Sequence, residues 1–282
     1  MAKLKRAVSC LLAVMVLLGM CMLVPAASAA ETADGLVYEE TSGEITIKGY
    51  TGTGGEVIIP EKIDDKPVTK IDVNAFLPIS WPQAKEITKI IIPSSVTVLD
   101  AYFDGCLALE TVVFPENISI PIPASLFRNC TALKSVTLPI TLTEIGNSMF
   151  ENCSSLINVN FPSDNQIKTI GVDAFQNCTL LSEVILPEKL RLIEVRAFQN
   201  CTSLSEIILP ENLEKINSLA FENCTNLTDI TIHDKVMSIA DEAFNNIPKE
   251  QLTIHGIAGS YANTFAITNG YAFEPIQQGG DL

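Results

Sequence analysis

The sequence predicts an α/β-type repeat solenoid, a curved stack of coils of about 23 residues, with one short parallel strand per coil and a short helical turn opposite it. The first observation is a recurring phrase: an Ala-Phe pair, Asn-Cys, a Leu and an apolar triplet ending in Pro, as in residues 197–210. The second is its spacing, because the cysteines of successive copies lie 24, 23, 25, 23 and 23 residues apart. The third is continuity, since no Ser- or Gly-rich linker interrupts the chain between Leu36 and Phe273.

The apolar triplet of each copy predicts the strand. In one copy, Leu204, Ile207 and Leu209 are expected to point into the core, and strand alternation turns Glu206 and Ile208 outward. A Pro follows most of the triplets, and because Pro cannot donate to a ladder, it marks the end of the strand. Each coil therefore presents two outward side chains from its strand.

The rest of the coil predicts a turn and two structural columns. Ala197 and Phe198 are expected in the helical turn, which Asn200 ends, because Asn and Gly tolerate the left-handed conformation. The thiol that follows is expected to point inward as a small apolar group, since stacked thiols would have parallel rather than facing Cβ vectors and no His or carboxylate recurs beside them to bind a metal. The columns are Asn129, Asn152, Asn177, Asn200 and Asn223, and Cys106, Cys130, Cys153, Cys178, Cys201 and Cys224.

Residues 1–30 have the pattern of a secretory signal peptide. A basic start precedes an apolar run from Val8 to Val24, and small residues at 27–29 offer a cleavage site, so the mature chain is expected to begin near Ala30 or Glu31. A retained membrane anchor is the alternative, because the run is close to the minimum length that spans a bilayer. After cleavage no integral membrane segment is expected, and the protein is expected to be secreted or associated with the cell surface.

The mature chain is predicted to form a single solenoid domain, residues 31–282. Its N-terminal part, residues 31–84, holds a first coil and an irregular insertion around Trp81, which is either a packed insertion or a binding loop. Regular repeats follow in residues 85–250, and residues 251–282 form a closing segment.

The charge of the chain excludes one class of partner. The formal net charge is −15, and cleavage of the signal peptide would remove three positive charges and no negative ones, which takes it to about −18. Such a surface repels the phosphates of nucleic acids, so no nucleic-acid partner is expected.

Candidate catalytic groups are few, and no catalytic residue, metal or cofactor is predicted. A nucleophilic triad needs a His, and neither His233 nor His255 has a recognisable Ser or Cys partner motif. Glu183, Glu206 and Asp229 share one outward strand position in successive coils, which predicts neighbours about 5 Å apart, near the separation that retaining glycosidases use. Acidity generated by the repeat is the favoured explanation, because the aromatic residues of a sugar cleft are sparse.

The outward strand positions form the candidate binding surface. Towards the C-terminus they change from neutral polar to acidic with apolar neighbours, and exposed Ile beside carboxylates is typical of a protein-binding strip, although an idle repeat produces the same pattern. The candidate residues are Asn158, Asn160, Glu183, Ile185, Glu206, Ile208, Asp229 and Thr231.

With these columns in place, the chain resembles the BspA-like class of leucine-rich repeat proteins, which are found on or outside bacterial cells. The resemblance implies a leucine-rich repeat solenoid, no catalytic residues, and a role in adhesion or surface binding. It is carried by Ala-Phe-x-Asn-Cys-x-x-Leu-x-x-Val/Ile-x-Leu-Pro units between Phe103 and Ile232, an opening segment at residues 45–50 and 57–60, and a closing segment at residues 259–262 and 269–273.

The predicted function is therefore non-enzymatic, adhesion-type binding of an extracellular protein or glycan through the outward strand positions. A structural scaffold module of a larger bacterial surface assembly is the alternative, and a carbohydrate-active enzyme is less favoured.

Overall fold

A computed structural model describes residues 29–115 and 121–276 of the chain. Most of the predicted signal peptide, residues 116–120 and the last six residues lie outside the described residues. A 3₁₀ helix covers Pro82–Glu86, and α1 covers Tyr261–Asn269. In chain order the strands are β1 (Ala30–Glu31), β2 (Leu36–Thr41), β3 (Glu44–Tyr50), β4 (Gly55–Ile58), β5 (Lys62–Ile63), β6 (Lys66–Ile71), β7 (Ile87–Ile91), β8 (Val98–Leu99), β9 (Thr111–Val113), β10 (Ser135–Thr137), β11 (Glu144–Ile145), β12 (Asn158–Asn160), β13 (Thr169–Ile170), β14 (Leu192–Ile193), β15 (Glu206–Ile208), β16 (Lys215–Ile216), β17 (Asp229–Ile232), β18 (Ser238–Ile239), β19 (Thr253–Gly256) and β20 (Ala272–Pro275).

Each regular coil crosses two parallel sheets and one stack of turns. The first sheet holds the predicted strands and consists of three sections, β4-β7-β9, β10-β12 and β15-β17-β19-β20. The second sheet runs unbroken as β11-β13-β14-β16-β18, with two-residue strands. The solenoid predicted from the repeat is confirmed, and the sequence did not predict the second sheet, whose strands are short.

The core is one continuous column of stacked side chains between Leu36 and Ala266. One Phe per coil lies at its centre, and the ring centroids of Phe150, Phe175 and Phe198 are 5.2 and 5.1 Å apart with nearly parallel planes. At roughly 1.5–3 kcal/mol per buried large side chain, such columns dominate the stability of the fold. No coil can cover its own Phe, so neighbouring coils are needed on both sides.

The short helical turn expected at each Ala-Phe pair is not confirmed: these segments are turns, and α1 is the one α-helix among the described residues. The reason lies in the backbone, because Arg196 and Asn200 both have positive φ, 56° and 62°, and leave three residues between them. A segment of this length does not nucleate a helix. Instead, the N–H groups of Phe198 and Asn200 donate hydrogen bonds to carbonyl oxygens of the next coil, and the donor–acceptor distance is 2.8 Å in both.

The N-terminal end of the stack is closed by an antiparallel hairpin, in which β2 pairs with β3, while β3 also pairs in parallel with β6. The irregular insertion packs onto this end through Trp81, which is partly buried against the core. Gly49 provides the space for the indole, because a Cβ there would lie 2.0 Å from Trp81 Cε2. Ile79, at the tip of the same insertion, is 92% exposed.

The C-terminal end is closed by α1 and β20. Ser260 caps the helix N-terminus by accepting a hydrogen bond from the Asn263 N–H, and Gly270 ends the helix with φ 77°. Phe265 of the helix packs edge-on against Phe244, the last ring of the column, at 6.0 Å between centroids. The cap thus covers an apolar surface that a further coil would otherwise bury.

Candidate binding surface

The outward side chains of the first sheet, together with those of residues 182–186 between two of its sections, form two rows, which we call the strand face. The structure places all eight predicted binding residues on it, and it extends the rows beyond the predicted set to Glu56 and Ile58, which is 60% exposed. The phrase Val57-Ile58-Ile59-Pro60 was the signal for this extension. One row is Glu56, Lys89, Thr111, Ser135, Asn158, Glu183, Glu206, Asp229 and Thr253, and the other is Ile58, Ile91, Val113, Thr137, Asn160, Ile185, Ile208, Thr231 and His255.

The ladder of the first sheet is interrupted at residues 182–186. This segment keeps the alternation of exposed and buried side chains, yet it is not a strand, and its backbone groups form no hydrogen bond with any described residue. The prediction that Glu183 lies in a strand stacked on Glu206 is therefore wrong. On the other side of Glu206 the prediction holds, because Glu206 and Asp229 are paired in register.

A cleft of about 1040 Å³ opens where the ladder is missing. We call it the acidic cleft; residues 182–186, 188, 205–212 and 233 line it, and none of them is Phe, Tyr or Trp. The opening is confined to the first sheet. Between the same coils β14 pairs with β16, and Phe198 and Phe221 stack at 5.3 Å.

Like charges face each other across the acidic cleft. Glu183 and Glu206 occupy one repeat position in adjacent coils, Glu188 and Glu211 occupy another, and no described basic side chain forms an ion pair with any of the four. In another row of the solenoid a carboxylate faces a cation of the adjacent coil, because Asp173 Oδ1 lies 2.6 Å from Arg196 Nε. Stacked carboxylates repel, so these four side chains leave negative charge at the cleft that no described cation offsets.

The neighbouring carboxylate, Asp229, has a partner that the acidic cleft lacks. His255 Nε2 lies 2.8 Å from Asp229 Oδ1, and Thr228 donates to Oδ2 of the same carboxylate. The hydrogen bond with His255 is the main cause that lowers the pKa of Asp229, followed by that with Thr228. The sequence did not reveal this pair, since 26 residues separate its members. The other His, His233, follows β17 directly and lines the acidic cleft.

The Asn column supports the backbone and also forms a ladder of side chains. Its members have φ between 59° and 63°, in the left-handed region. Each amide Nδ2 donates a hydrogen bond to a side-chain Oδ1 atom of the preceding coil. The distance is 2.6 Å from Asn200 to Asn177 and 2.7 Å from Asn223 to Asn200. The sequence indicated the backbone role but not the ladder.

The six thiols of the Cys column are free and fully buried. Each Sγ lies 3.1–3.3 Å from a Phe carbonyl oxygen of the preceding coil, to which it donates. Burial raises the pKa of every thiol, to about 12 for Cys106 and Cys224. A buried thiol that stays protonated is a poor nucleophile and a poor metal ligand.

The described residues contain no group of three or more His, Cys, Asp or Glu side chains that could hold a metal ion. Within the same ranges, no helix combines the length and the apolar character needed to cross a bilayer.

Coils with short parallel strands and one stacked Phe each define a leucine-rich repeat solenoid with an acidic, partly apolar strand face. The family model of the BspA type leucine rich repeat region matches residues 69–201 and 163–270 in six copies. The chain therefore belongs to the BspA-type leucine-rich repeat family.

One solved structure shares the fold, and a second is reported for its sequence similarity. A leucine-rich cell surface protein from Faecalibacterium prausnitzii is 22% identical over 80% of this chain and 75% of its own, with a TM-score of 0.51. A leucine-rich repeat protein from T. pallidum is 24% identical over 87% of this chain and 98% of its own, with a TM-score of 0.44. Among curated proteins, no significant match was found.

Proposed function

We propose that the protein is a non-enzymatic, secreted or surface-associated binding protein that contacts an extracellular protein or glycan through its strand face. The observation that carries this proposal is Ile185, which is 80% exposed on the strand face beside Glu183 and one coil away from the 48% exposed Ile208. Exposed apolar side chains rimmed by charges are typical of interaction sites. Membership of the BspA-type family is consistent with this role.

The extracellular location is supported by two observations. The sequence begins with the pattern of a signal peptide, and the structurally similar F. prausnitzii protein is described as a cell surface protein. We extend that location to this chain.

The non-enzymatic part of the proposal is supported by the state of the reactive groups. The thiols are buried in the core, and His255 is held by Asp229. Glu183 and Glu206, the pair closest to the arrangement of a retaining glycosidase, are not aligned by a strand ladder. A glycosidase would need both carboxylates held at a fixed separation.

The test is binding of residues 31–282 to an array of extracellular-matrix proteins and glycans, with a charge-reversed variant alongside. The variant carries Glu183→Lys, Glu206→Lys and Asp229→Lys, and we expect it to lose at least about nine-tenths of the signal of any hit, because the complementary charges are reversed. A matched control with the same net charge carries Glu144→Lys, Asp241→Lys and Glu250→Lys, which lie off the strand face. The control is expected to keep the signal.

Either of two results would contradict the proposal. A hit that both variants retain, or that both lose, would show that binding does not depend specifically on the strand face. If the folded protein bound no component of the array, the proposed binding function would be contradicted.

A further inference from the structure

We propose that the acidic cleft is the docking site for an extended segment of a cationic partner protein, in which basic and apolar side chains alternate along one face. This inference rests on the proposed function and names the partner class and the part of the strand face that takes it.

The apolar element of the site is the pair Ile185 and Ile208. They lie one coil apart in the same row, and both remain exposed between carboxylates. Ile58 is equally apolar at the other end of the row, but its neighbour Glu56 is already paired with Lys89, with Oε1 2.9 Å from Nζ. Only the C-terminal pair therefore combines apolar surface with charge that is not neutralised within the described chain.

The spacing along the strand direction fits an extended partner. Glu183 precedes Ile185 by two residues, as Glu206 precedes Ile208, which corresponds to about 6.6 Å along an extended chain. Same-face side chains of an extended partner have this same spacing, since alternate residues point to one side. A partner that runs along the strands can thus place a basic side chain over the carboxylate and an apolar one over the Ile.

The lining of the cleft favours a polypeptide over other ligands. Its carboxylates and exposed Ile side chains complement basic and apolar side chains, and a polypeptide can present both at the spacing of the strand face. A metal ion is not favoured, because the carboxylates of the described chain do not converge on one point. A glycan is not favoured, because no Phe, Tyr or Trp lines the cleft for a sugar ring to pack on.

The probe is a fluorescein-labelled peptide, Lys-Thr-Val-Thr-Lys-Thr-Val-Thr-Lys, titrated with residues 31–282 and followed by anisotropy. We expect saturable binding that weakens as NaCl is raised, because exposed charges are screened. A peptide with Glu in place of Lys, and another with Ser in place of Val, are each expected to bind at least about tenfold more weakly.

Two pairs of protein variants locate the site. Ile185→Ser with Ile208→Ser, and Glu183→Gln with Glu206→Gln, are each expected to weaken binding at least about tenfold. Both pairs change exposed side chains, so the urea unfolding midpoint serves as the check that the fold is intact. The matched control, Ile58→Ser with Glu56→Gln, changes the same residue types at the other end of the strand face and is expected to stay within about twofold of the wild type.

Three results would overturn the inference: equal binding of the Glu peptide, full binding by either cleft variant, or an equal loss in the matched control. The two proposals fail separately. A strand-face-dependent hit on the array without measurable peptide affinity would end this inference and leave the proposed function standing. The absence of both signals would end both.

Discussion

A single side chain, Asn200, serves the fold in two ways. Its backbone adopts φ 62°, a conformation that costs most non-glycine residues about 1–2 kcal/mol. Its amide donates to Asn177 and accepts from Asn223, so each coil is tied to both neighbours outside the core. Gly105 occupies the same position in an earlier coil with φ 78°, which shows that the left-handed backbone can form there without the Asn side-chain hydrogen bonds.

Replacement of Asn200 separates these two contributions. Asn200→Gly keeps the left-handed backbone and loses the two side-chain hydrogen bonds, each worth about 0.5–1.5 kcal/mol. Asn200→Ala loses both contributions, so we expect it to be less stable than the Gly variant by about 1 kcal/mol in urea unfolding. A Gly variant as unstable as the Ala variant would show that only the side-chain hydrogen bonds of Asn200, and not its left-handed backbone, contribute to stability.

Gly49 is required for a steric reason, since its φ is not in the left-handed region and its missing side chain makes room for Trp81. Gly49→Ala is expected to displace the indole and to lower the free energy of unfolding by about 1–3 kcal/mol, as overpacking does. Trp81 is the only Trp in the chain, so its fluorescence emission is expected to shift to longer wavelength. Ile79→Ala, on the exposed tip of the same insertion, is the control and should leave the emission unchanged.

At the scale of elements, α1 acts as the C-terminal lid of the core. Phe265 contacts Phe244 and Tyr271, and it is 5% exposed, whereas Ile267 on the same helix is 70% exposed. Phe265→Ala is expected to lower the free energy of unfolding by about 3–5 kcal/mol, because it opens a cavity over the end of the Phe column.

Ile267→Ala provides the matched control for that variant, because it shortens an apolar side chain on the same helix without opening the core. It is expected to change stability by less than about 0.5 kcal/mol. Urea unfolding followed by circular dichroism measures both variants. Equal losses would show that the helix itself, rather than its contact with Phe244, determines the stability of the end.

The elements that sequence predicts best are those written into every repeat. The Phe column and the left-handed Asn200 follow from residue type and spacing alone. The left-handed Arg196 and Leu219 do not, because neither residue type favours positive φ. Their N–H groups donate hydrogen bonds to the carbonyl oxygens of Ser218 and Glu242 in the next coil, each at a distance of 3.2 Å. The stacking of the coils, rather than local residue preference, therefore sets the turn.

The candidate surface was predictable in position but not in structure. Strand alternation correctly turns Glu183 and Ile185 outward. The missing ladder at this coil has no signal in the repeat, because Glu183, Glu206 and Asp229 occupy the same repeat position. The pairing of Asp229 with His255 from a later coil has none either. A repeat pattern predicts the same structure for every coil, so it does not predict contacts that differ from one pair of coils to the next.

At the scale of the whole molecule, the buried thiols make stability depend on pH in the alkaline range. Burial raises the pKa of all six in the folded protein, to about 12 for Cys106 and Cys224, whereas an unfolded thiol titrates at about 8.5. The stability that the protonated thiols provide is thus fully present below about pH 8.5 and is lost as pH rises towards the folded values. At about 1.4 kcal/mol per thiol and pH unit, the column accounts for a loss of roughly 7 kcal/mol between about pH 9 and 10.

Urea unfolding at a series of pH values checks this expectation, with Cys201→Ala as the control that removes one of the six titrating groups and reduces the slope. In the same samples, Ellman's reagent at about pH 8 should find no thiol until the protein unfolds. A stability that stays level to about pH 10, or thiols that react in the folded state, would contradict the burial of the column.

The regular stacking of the coils also bears on how the gene can change. Phe175, Phe198 and Phe221 stack at 5.1 and 5.3 Å with planes within 5° of parallel, so each coil offers its successor nearly the same surface that it receives. Recombination between neighbouring repeats that adds or removes one whole coil would leave the hairpin at one end and α1 at the other with matching partners. The protein can therefore vary in length in steps of one coil, and the reach of its strand face would vary with it.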